Sequence, residues 1–453
     1  MAVGGSPPAP TRRPILRTGW RLVLGLAILV VIGTAALMTP GMATRPLALR
    51  EAGFTATSAL AVTGLTVITP YRDLTIAGQI ALLIMIEIGG VGFMTGATII
   101  LRLLGRKIYL ADRLALRDSL GLVEPRAIVS IMWRVIVTTL AIQTVGAILF
   151  WLNWRSELGG PQAAFFAFFH AVSSFCNAGF DLFTGSPYFG GAFPTDGATL
   201  RVSGTLIVLG GLGIPVLADL MTWPKSPRRL TLHTRITLVV YTALIALGSI
   251  GLLLSELRSG GTLVGIPLAR SLELTTYQSI SARSAGFVAV AGLESLAPAS
   301  QWLMMALMLV GCAPASMGGG ITTGTLAVLA LSFWAYVKGY PAAVVGGRTI
   351  GWDAVRRAAA ILTVSLLVVT VATWLILMTH ATTLEMALFE VISAFATTGA
   401  SLAFTTQLNT LGLLVIMVVM FWGRLGALTI VVALAQTAPP QAVTYPEETL
   451  LIG

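Results

Sequence analysis

The stretch LAVTGLTVI (Leu60–Ile68) sets a glycine among β-branched residues and is closed by Thr69-Pro70-Tyr71. In water it would read as a short strand with a bulge. Here it follows an apolar run, Leu22–Leu37, of the kind that dissolves in lipid. Non-helical backbone is tolerated at membrane depth only where it is buried in protein or lines a watery cavity. The fold therefore turns on whether this segment stands alone.

Composition puts the chain in a membrane. Of its 453 residues, 56% are hydrophobic and 10% charged, against about 25% charged in soluble domains. Eight apolar runs are candidates for crossing a bilayer: Leu22–Leu37, Ile76–Leu104, Val135–Leu152, Val202–Trp223, Ile236–Leu257, Trp302–Tyr336, Ala358–Met378 and Leu411–Leu434. The connections are short and leave no room for a sizeable soluble domain. The net charge of +10 would fit nucleic acid, but its distribution argues otherwise. With the N-terminus inside, 19 Lys and Arg fall in cytoplasmic segments and 8 in outer ones, with Arg424 inside the last run. That is the positive-inside pattern, and it places both termini in the cytoplasm. No basic patch with stacking aromatics accompanies the charge, so nucleic acid is not expected as a partner. The pair Arg12-Arg13 before an apolar run also fits a twin-arginine export signal. A retained first helix is preferred because the repeat described next needs it. Cys176 and Cys312 lie in separate apolar contexts and suggest neither a disulfide framework nor a zinc site.

LAVTGLTVI is not alone. Between successive pairs of runs lie shorter apolar segments: Arg50–Ala61, Gln162–Phe175, Arg270–Ala282 and Thr383–Phe395. They are too short to cross and suit half-helices that enter and return. Each leads into a glycine-bearing stretch: AVTGL, CNAGF, RSAGF and ATTGA. The glycines, Gly64, Gly179, Gly286 and Gly399, are 115, 107 and 113 residues apart. A fourfold repeat of helix, half-helix, glycine strand and helix decides the fold. Four such strands can surround one axis, and their carbonyls can replace the hydration shell of a monovalent cation. Aiming carbonyls at a narrow axis uses φ > 0 conformations, for which glycine is suited. The half-helices add the negative ends of their dipoles. The candidate selectivity filter is therefore Ala61, Val62, Thr63 and Gly64; Cys176, Asn177, Ala178 and Gly179; Arg283, Ser284, Ala285 and Gly286; Ala396, Thr397, Thr398 and Gly399.

The expected fold is an all-α membrane protein, with eight transmembrane helices in four helix–pore loop–helix repeats around a pseudo-fourfold cation pore. The repeats are residues 20–126, 127–230, 231–345 and 346–437, between cytoplasmic ends 1–19 and 438–453. The sixth run contains GCAPASMGGGITTGT (Gly311–Thr325). Its glycines Gly318, Gly319, Gly320 and Gly324 would together cost a helix about 4 kcal/mol relative to alanine. A break in the helix is expected there, with Gly311, Ser316, Gly318, Gly319, Gly320, Thr322 and Thr323 in a gate. Arg424 has no acid in its own run, and a central charge costs about 2.5–3.5 kcal/mol on insertion scales. It is expected below the filter as a barrier to cations and a hydrogen-bond donor to the broken helix.

IEIGGVGFMTG, SFCNAGFDLF, SARSAGF, FEVISAFATTGASL, GRLGALT and the terminal YPEETLLIG resemble the Ktr/Trk/HKT superfamily of potassium transporters, and within it the KtrB-type membrane subunits. The resemblance spans nearly the whole chain. It implies potassium uptake across the bacterial cell membrane, stimulated by sodium as activating ion. It implies a homodimer with one pore per subunit and a cytosolic KtrA-like nucleotide-binding ring as regulator. No cofactor is implied in this chain; K⁺ is the transported ion at the filter residues, and membrane lipids surround it. The family's gating loop runs close to GGSPGSTGGGIKTTT. Pro314, Ser316, Gly318, Gly319, Gly320, Ile321, Thr323 and Thr325 match it, whereas Thr322 stands where lysine is usual, and Ala313, Ala315, Met317 and Gly324 also depart. Glu87 stands where glutamine is expected. Glu87 and Asp219 are expected in structural roles, Glu390 as a brace for the filter, and Asp181 either at the mouth attracting cations or simply solvated.

An enzyme is not expected. The histidines, His170, His233 and His380, lie in separate repeats, and no zincin, nucleophile-elbow or Walker motif is present. GGLGIP (Gly210–Pro215) lies inside an apolar run, so any regulating nucleotide must bind a partner. A sodium-permeable member of the same superfamily is the near alternative. An alternating-access transporter would need two inverted halves, and four glycine strands returning from one side argue against it.

Overall fold

The computed structural model describes residues 14–91, 128–223, 230–258, 261–290 and 292–426. The Arg12-Arg13 pair, the tail 438–453, the second run beyond Val91 and the last run beyond Gly426 lie outside them.

The described chain is helical apart from one ribbon. In order, the helices are α1 (Pro14–Met38), α2 (Leu49–Ala61), α3 (Pro70–Asp73), α4 (Ile76–Gly90), α5 (Ile128–Leu158), α6 (Gly160–Phe175), α7 (Gly197–Gly211), α8 (Ile214–Thr222), α9 (Leu232–Glu256), α10 (Leu268–Ala282), α11 (Pro298–Leu309) and α12 (Thr323–Val337). Then come β1 (Val344–Val345) and β2 (Arg348–Thr349), paired antiparallel, and α13 (Trp352–Thr379), α14 (Leu384–Phe395) and α15 (Thr410–Leu425).

Two kinds of helix alternate. Within α5, α9 and α13 are three stretches long and apolar enough to cross a membrane: Val135–Leu158, Leu232–Glu256 and Trp352–Thr379. Large apolar side chains such as Val239, Leu247, Leu254, Leu367 and Trp374 are exposed on them. A soluble monomer rarely leaves so much apolar surface bare, whereas lipid covers it without cost. The helices α2, α6, α10 and α14 are short and mostly buried; α2 is buried continuously from Ala52 to Ala61. Burial concentrates in their C-terminal halves, which places those ends inside the protein. In α2 the hydroxyls of Thr55 and Thr57 donate to the carbonyls of Glu51 and Gly53, which satisfies them without outside partners. Caps set where helices begin: Asp196 accepts from Thr199 N at 3.0 Å, and Asn409 from Gly412 N at 2.8 Å.

The packing is cyclic. Each short helix packs on the long helix before it: α2 on α1, α6 on α5, α10 on α9 and α14 on α13. The helix after each short one then packs on the next short helix: α4 on α6, α7 on α10, α11 on α14, and α15 back on α2. The chain thus closes on itself, with its four short helices inward.

Two apolar runs are not single helices. The fourth, expected as one crossing, bends by 101° between α7 and α8. Gly213 makes the turn with φ +84, and Pro215 starts α8, where its missing N–H costs nothing. In the sixth, backbone from Val310 to Thr322 separates α11 from α12.

Candidate functional site: a ring of glycines

The four short helices end at equivalent places, and their C-termini turn the chain in similar ways. Thr63 N donates to Ser58 O at 2.8 Å, Ala178 N to Ser173 O at 2.8 Å, and Thr398 N to Ser393 O at 2.9 Å. These bonds close the helix ends in the Schellman manner. The residue two before the glycine is left-handed in three of the segments: Val62 (φ 56), Asn177 (φ 57) and Thr397 (φ 49). The third segment differs. At the matching position Ser284 is not left-handed, and Ala285 N and Gly286 N both donate to Ser281 O.

All four glycines have positive φ: Gly64 +90, Gly179 +70, Gly286 +69 and Gly399 +85. What each one touches is more informative. A Cβ on Gly64 would lie 2.5 Å from the carbonyl oxygen of Ala178. A Cβ on Gly179 would strike the Ala285 carbonyl, one on Gly286 the Thr398 carbonyl, and one on Gly399 the Thr63 carbonyl. Each glycine thus faces the carbonyl preceding the next glycine, and the order 64, 179, 286, 399 returns to 64. The ring is narrow: a Cβ on Gly179 would also reach the Thr398 oxygen, from the segment opposite, at 3.6 Å. No side chain fits here on either ground, conformation or space.

A second set of glycines supports the ring from behind. A Cβ on Gly89 would strike the carbonyl of Leu60, one on Gly210 that of Phe175, and one on Gly423 that of Phe395. Each struck carbonyl precedes its ring glycine by four residues. The backbones of α4, α7 and α15 therefore press directly on the ends of short helices. Sequence reasoning missed this set; its signal is the recurring Gly-Gly or Gly-Arg some 24–31 residues after a ring glycine.

Side chains brace the segments. Gly64 N donates to Ser58 Oγ at 3.0 Å, while Ser173 and Ser281 hydroxyls donate to Phe180 O (2.8 Å) and Phe287 O (2.6 Å). Glu390 accepts from Ser401 Oγ at 2.8 Å and from Thr405 Oγ1, tying α14 to the turn beyond Gly399. Asp181 is neither a free charge at the mouth nor solvated. It caps the turn after the second segment, accepting from Phe183 N at 2.8 Å and Thr184 N at 2.7 Å, with His170 Nε2 2.9 Å away. Burial opposes its charge, but the bonds from His170, Thr184 and Phe183 win and hold its carboxyl below the ordinary range. Glu87 accepts from Gln143 Nε2 at 2.8 Å and Cys176 Sγ at 3.5 Å, beside the second segment. Asp219 accepts from Thr231 N and Oγ1, both at 3.0 Å, outside the ring.

Arg283 joins the ring segments by backbone position only. Its side chain runs over the Tyr241 ring, 3.9 Å from the centroid, and donates to the Gly311 carbonyl in the break beyond α11.

The break in the sixth run fits into the bend of the fourth. Ala313 N donates to Gly211 O at 3.0 Å, Met317 N to Gly210 O at 3.2 Å, and Ile214 N to Ala315 O at 3.1 Å. Two interrupted helices thereby satisfy each other's free backbone groups, which lipid could not do. Thr323 N donates to Cys312 O at 3.0 Å, and Thr322 caps α12 by accepting from Thr325 N. Gly319 N donates to Thr397 Oγ1 at 2.9 Å. Arg424 donates from Nη1 to Met317 O, and from Nη2 to Gly89 O and, at 3.1 Å, to Gly90 O. Gly311 and Ser316 also lie in this break; the Ser316 hydroxyl is buried without a partner. Among the described residues no cluster of three or more His, Cys, Asp or Glu could hold a metal ion.

Residues 21–444 match the TrkH family, described as cation transport protein. The chain belongs to this family of cation transporters. It is 33% identical to Ktr system potassium uptake protein B of Vibrio alginolyticus, over 96% of this chain and 94% of that one. It is 34% identical to potassium/sodium uptake protein NtpJ of Enterococcus hirae, over 95% and 96%. The crystal structure of the potassium transporter TrkH from Vibrio parahaemolyticus superposes with a TM-score of 0.74 at 18% identity, covering 95% of this chain and 87% of that chain. The resemblance carried by the glycine motifs is thus one of family, and the fold is TrkH-like. The family is one of transporters, not of enzymes.

Proposed function

We infer that this protein takes up potassium across the bacterial cell membrane, through the ring formed by Gly64, Gly179, Gly286 and Gly399. One observation carries the reading: each ring glycine abuts the carbonyl of the next segment, in a closed cycle. Such a cycle offers oxygens from four strands to one ion and admits no side chain. Carbonyl dipoles suit a monovalent cation that sheds water, and the C-terminal ends of α2, α6, α10 and α14 add negative potential. The eight apolar runs cross the membrane as four repeats, α7–α8 and α11–α12 counting as one broken crossing each. Both termini face the cytoplasm.

The break at Val310–Thr322 and Arg424 form the gate. Arg424 pins the break through Met317 and places a positive charge beside it. The membrane potential drives entry, at about 2.3 kcal/mol per charge per 100 mV. The protein works as a homodimer with a cytosolic nucleotide-binding ring as regulator; the naming of two relatives as Ktr system proteins supports a partner subunit. A second reading, permeation of sodium as well, is favoured by the relative named for potassium and sodium uptake.

Purified protein in liposomes tests both. Uptake of K⁺ that Na⁺ neither replaces nor matches is the expected result. Equal fluxes establish the second reading, and no flux of either ion overturns both.

A further inference from the structure

Thr397 holds a conformation that its side chain disfavours. It is β-branched and left-handed, with φ 49, and such residues are outliers in that region. Outliers of this kind persist where the surroundings over-determine them. The surroundings here include Gly319: its N–H donates to Thr397 Oγ1 at 2.9 Å, and the threonine is fully buried. A Cβ on Gly319 would come within 2.6 Å of that Oγ1 and 2.8 Å of Cγ2. Ser284 holds the same position in the third segment, and a Cβ on Gly318 would strike its Oγ. Gly318 and Gly319 are thus held against side chains of two ring segments, and one of those side chains accepts a backbone hydrogen bond.

We propose that Thr397 is a positioning residue that latches the break in the sixth run to the glycine ring. This rests on the reading of ring and break as filter and gate. For the break to leave its place, Gly319 N–H must give up its acceptor in a site with little water. Thr397→Val keeps the branching, the volume and the backbone contacts, but loses the acceptor. Thr397→Ser keeps the acceptor.

The test uses the full chain in liposomes, as wild type and as both variants, with two readouts. The first is initial K⁺ uptake together with the K⁺/Na⁺ flux ratio. Thr397→Val should raise uptake about 2- to 12-fold above that of Thr397→Ser, the range expected for one hydrogen bond. Thr397→Ser, which keeps the acceptor, is the reference against which the valine variant is read. The second readout is amide hydrogen exchange across residues 313–322, which does not depend on transport. Exchange should quicken in the valine variant and not in the serine variant. Equal exchange in all three proteins overturns the latch, as does a shifted ion ratio at unchanged uptake. If wild type carries no cation while exchange still separates valine from serine, the reading of the ring fails and the latch stands. If the valine variant does not fold, Gly319→Ala crowds the same contact from the other side. It should quicken exchange and raise uptake alike, and wild-type values for it would overturn the latch.

Discussion

Arg424 donates to the carbonyl of Met317, joining α15 to the break between α11 and α12. Arg424 also donates to Gly90 O at 3.1 Å, so one guanidinium ties together elements of the first, third and last repeats. A part-buried guanidinium within an apolar run has five donors to place, and the break has carbonyls with no helix to receive them. Each lowers the cost of the other.

Arg424→Ala should therefore raise K⁺ flux, as should deletion of residues 313–319. The double change should be less than additive, as for groups acting on one barrier. Flux from the single and double variants in liposomes checks this. Full additivity, or loss of ion preference in the deletion, would separate loop and arginine into independent roles.

Gly423→Ala tests the supporting glycines. Its Cβ would strike the Phe395 carbonyl, and overpacking of this kind costs about 1–3 kcal/mol. Thermal stability in detergent, followed by size exclusion after heating, should fall for Gly423→Ala. It should be unchanged for Gly351→Ala, where an added Cβ has open space around it. Equal melting would mean that α15 can withdraw from the ring without loss.

Asp181 should matter to stability in acid. Its native pKa is depressed, so its contribution is full above the ordinary carboxylate value of about 3.9 and is lost as pH falls through the lower native value. Asp181→Asn should lower thermal stability near neutral pH and narrow the difference from wild type below about pH 4. A difference that stays constant as the pH falls would remove the carboxylate from that role.

A regulatory ring predicts a partner. Purification from the native host in mild detergent should bring down a soluble nucleotide-binding protein. Recovery of the chain alone, with nucleotide still controlling its flux, would contradict this.

Much of the architecture was legible in the sequence because it repeats. Four glycines at 107–115-residue spacing were visible without knowing any contact, and the short helices end where the apolar segments before those glycines end. The family could be read from the same motifs. The bend at Gly213 was not seen, because VLGGLGIPVL is apolar throughout and hydropathy carries no direction; Gly213 and Pro215 were the available signal. The break at Gly311–Thr325 was seen because its glycines are dense. Its partners were not, since α7 lies about a hundred residues earlier and nothing local names Gly210 and Gly211 as acceptors. Arg283 looked like a ring residue by position, and only packing shows its side chain leaving for Gly311. The departure of the third segment from its three counterparts likewise depends on backbone angles that RSAGF does not announce.

The central claim is that the glycine ring selects the ion, and Gly64→Ser tests it most directly. The added Cβ would sit 2.5 Å from the Ala178 oxygen at a backbone angle of +90, so the carbonyl ring must shift if the protein folds. The measurement is the K⁺/Na⁺ flux ratio of wild type and Gly64→Ser in liposomes, on protein of matched elution profile. The account predicts a clear preference for K⁺ in wild type and a lower ratio in the variant. An unchanged ratio in a folded, conducting variant would contradict it and remove Gly64 from the filter.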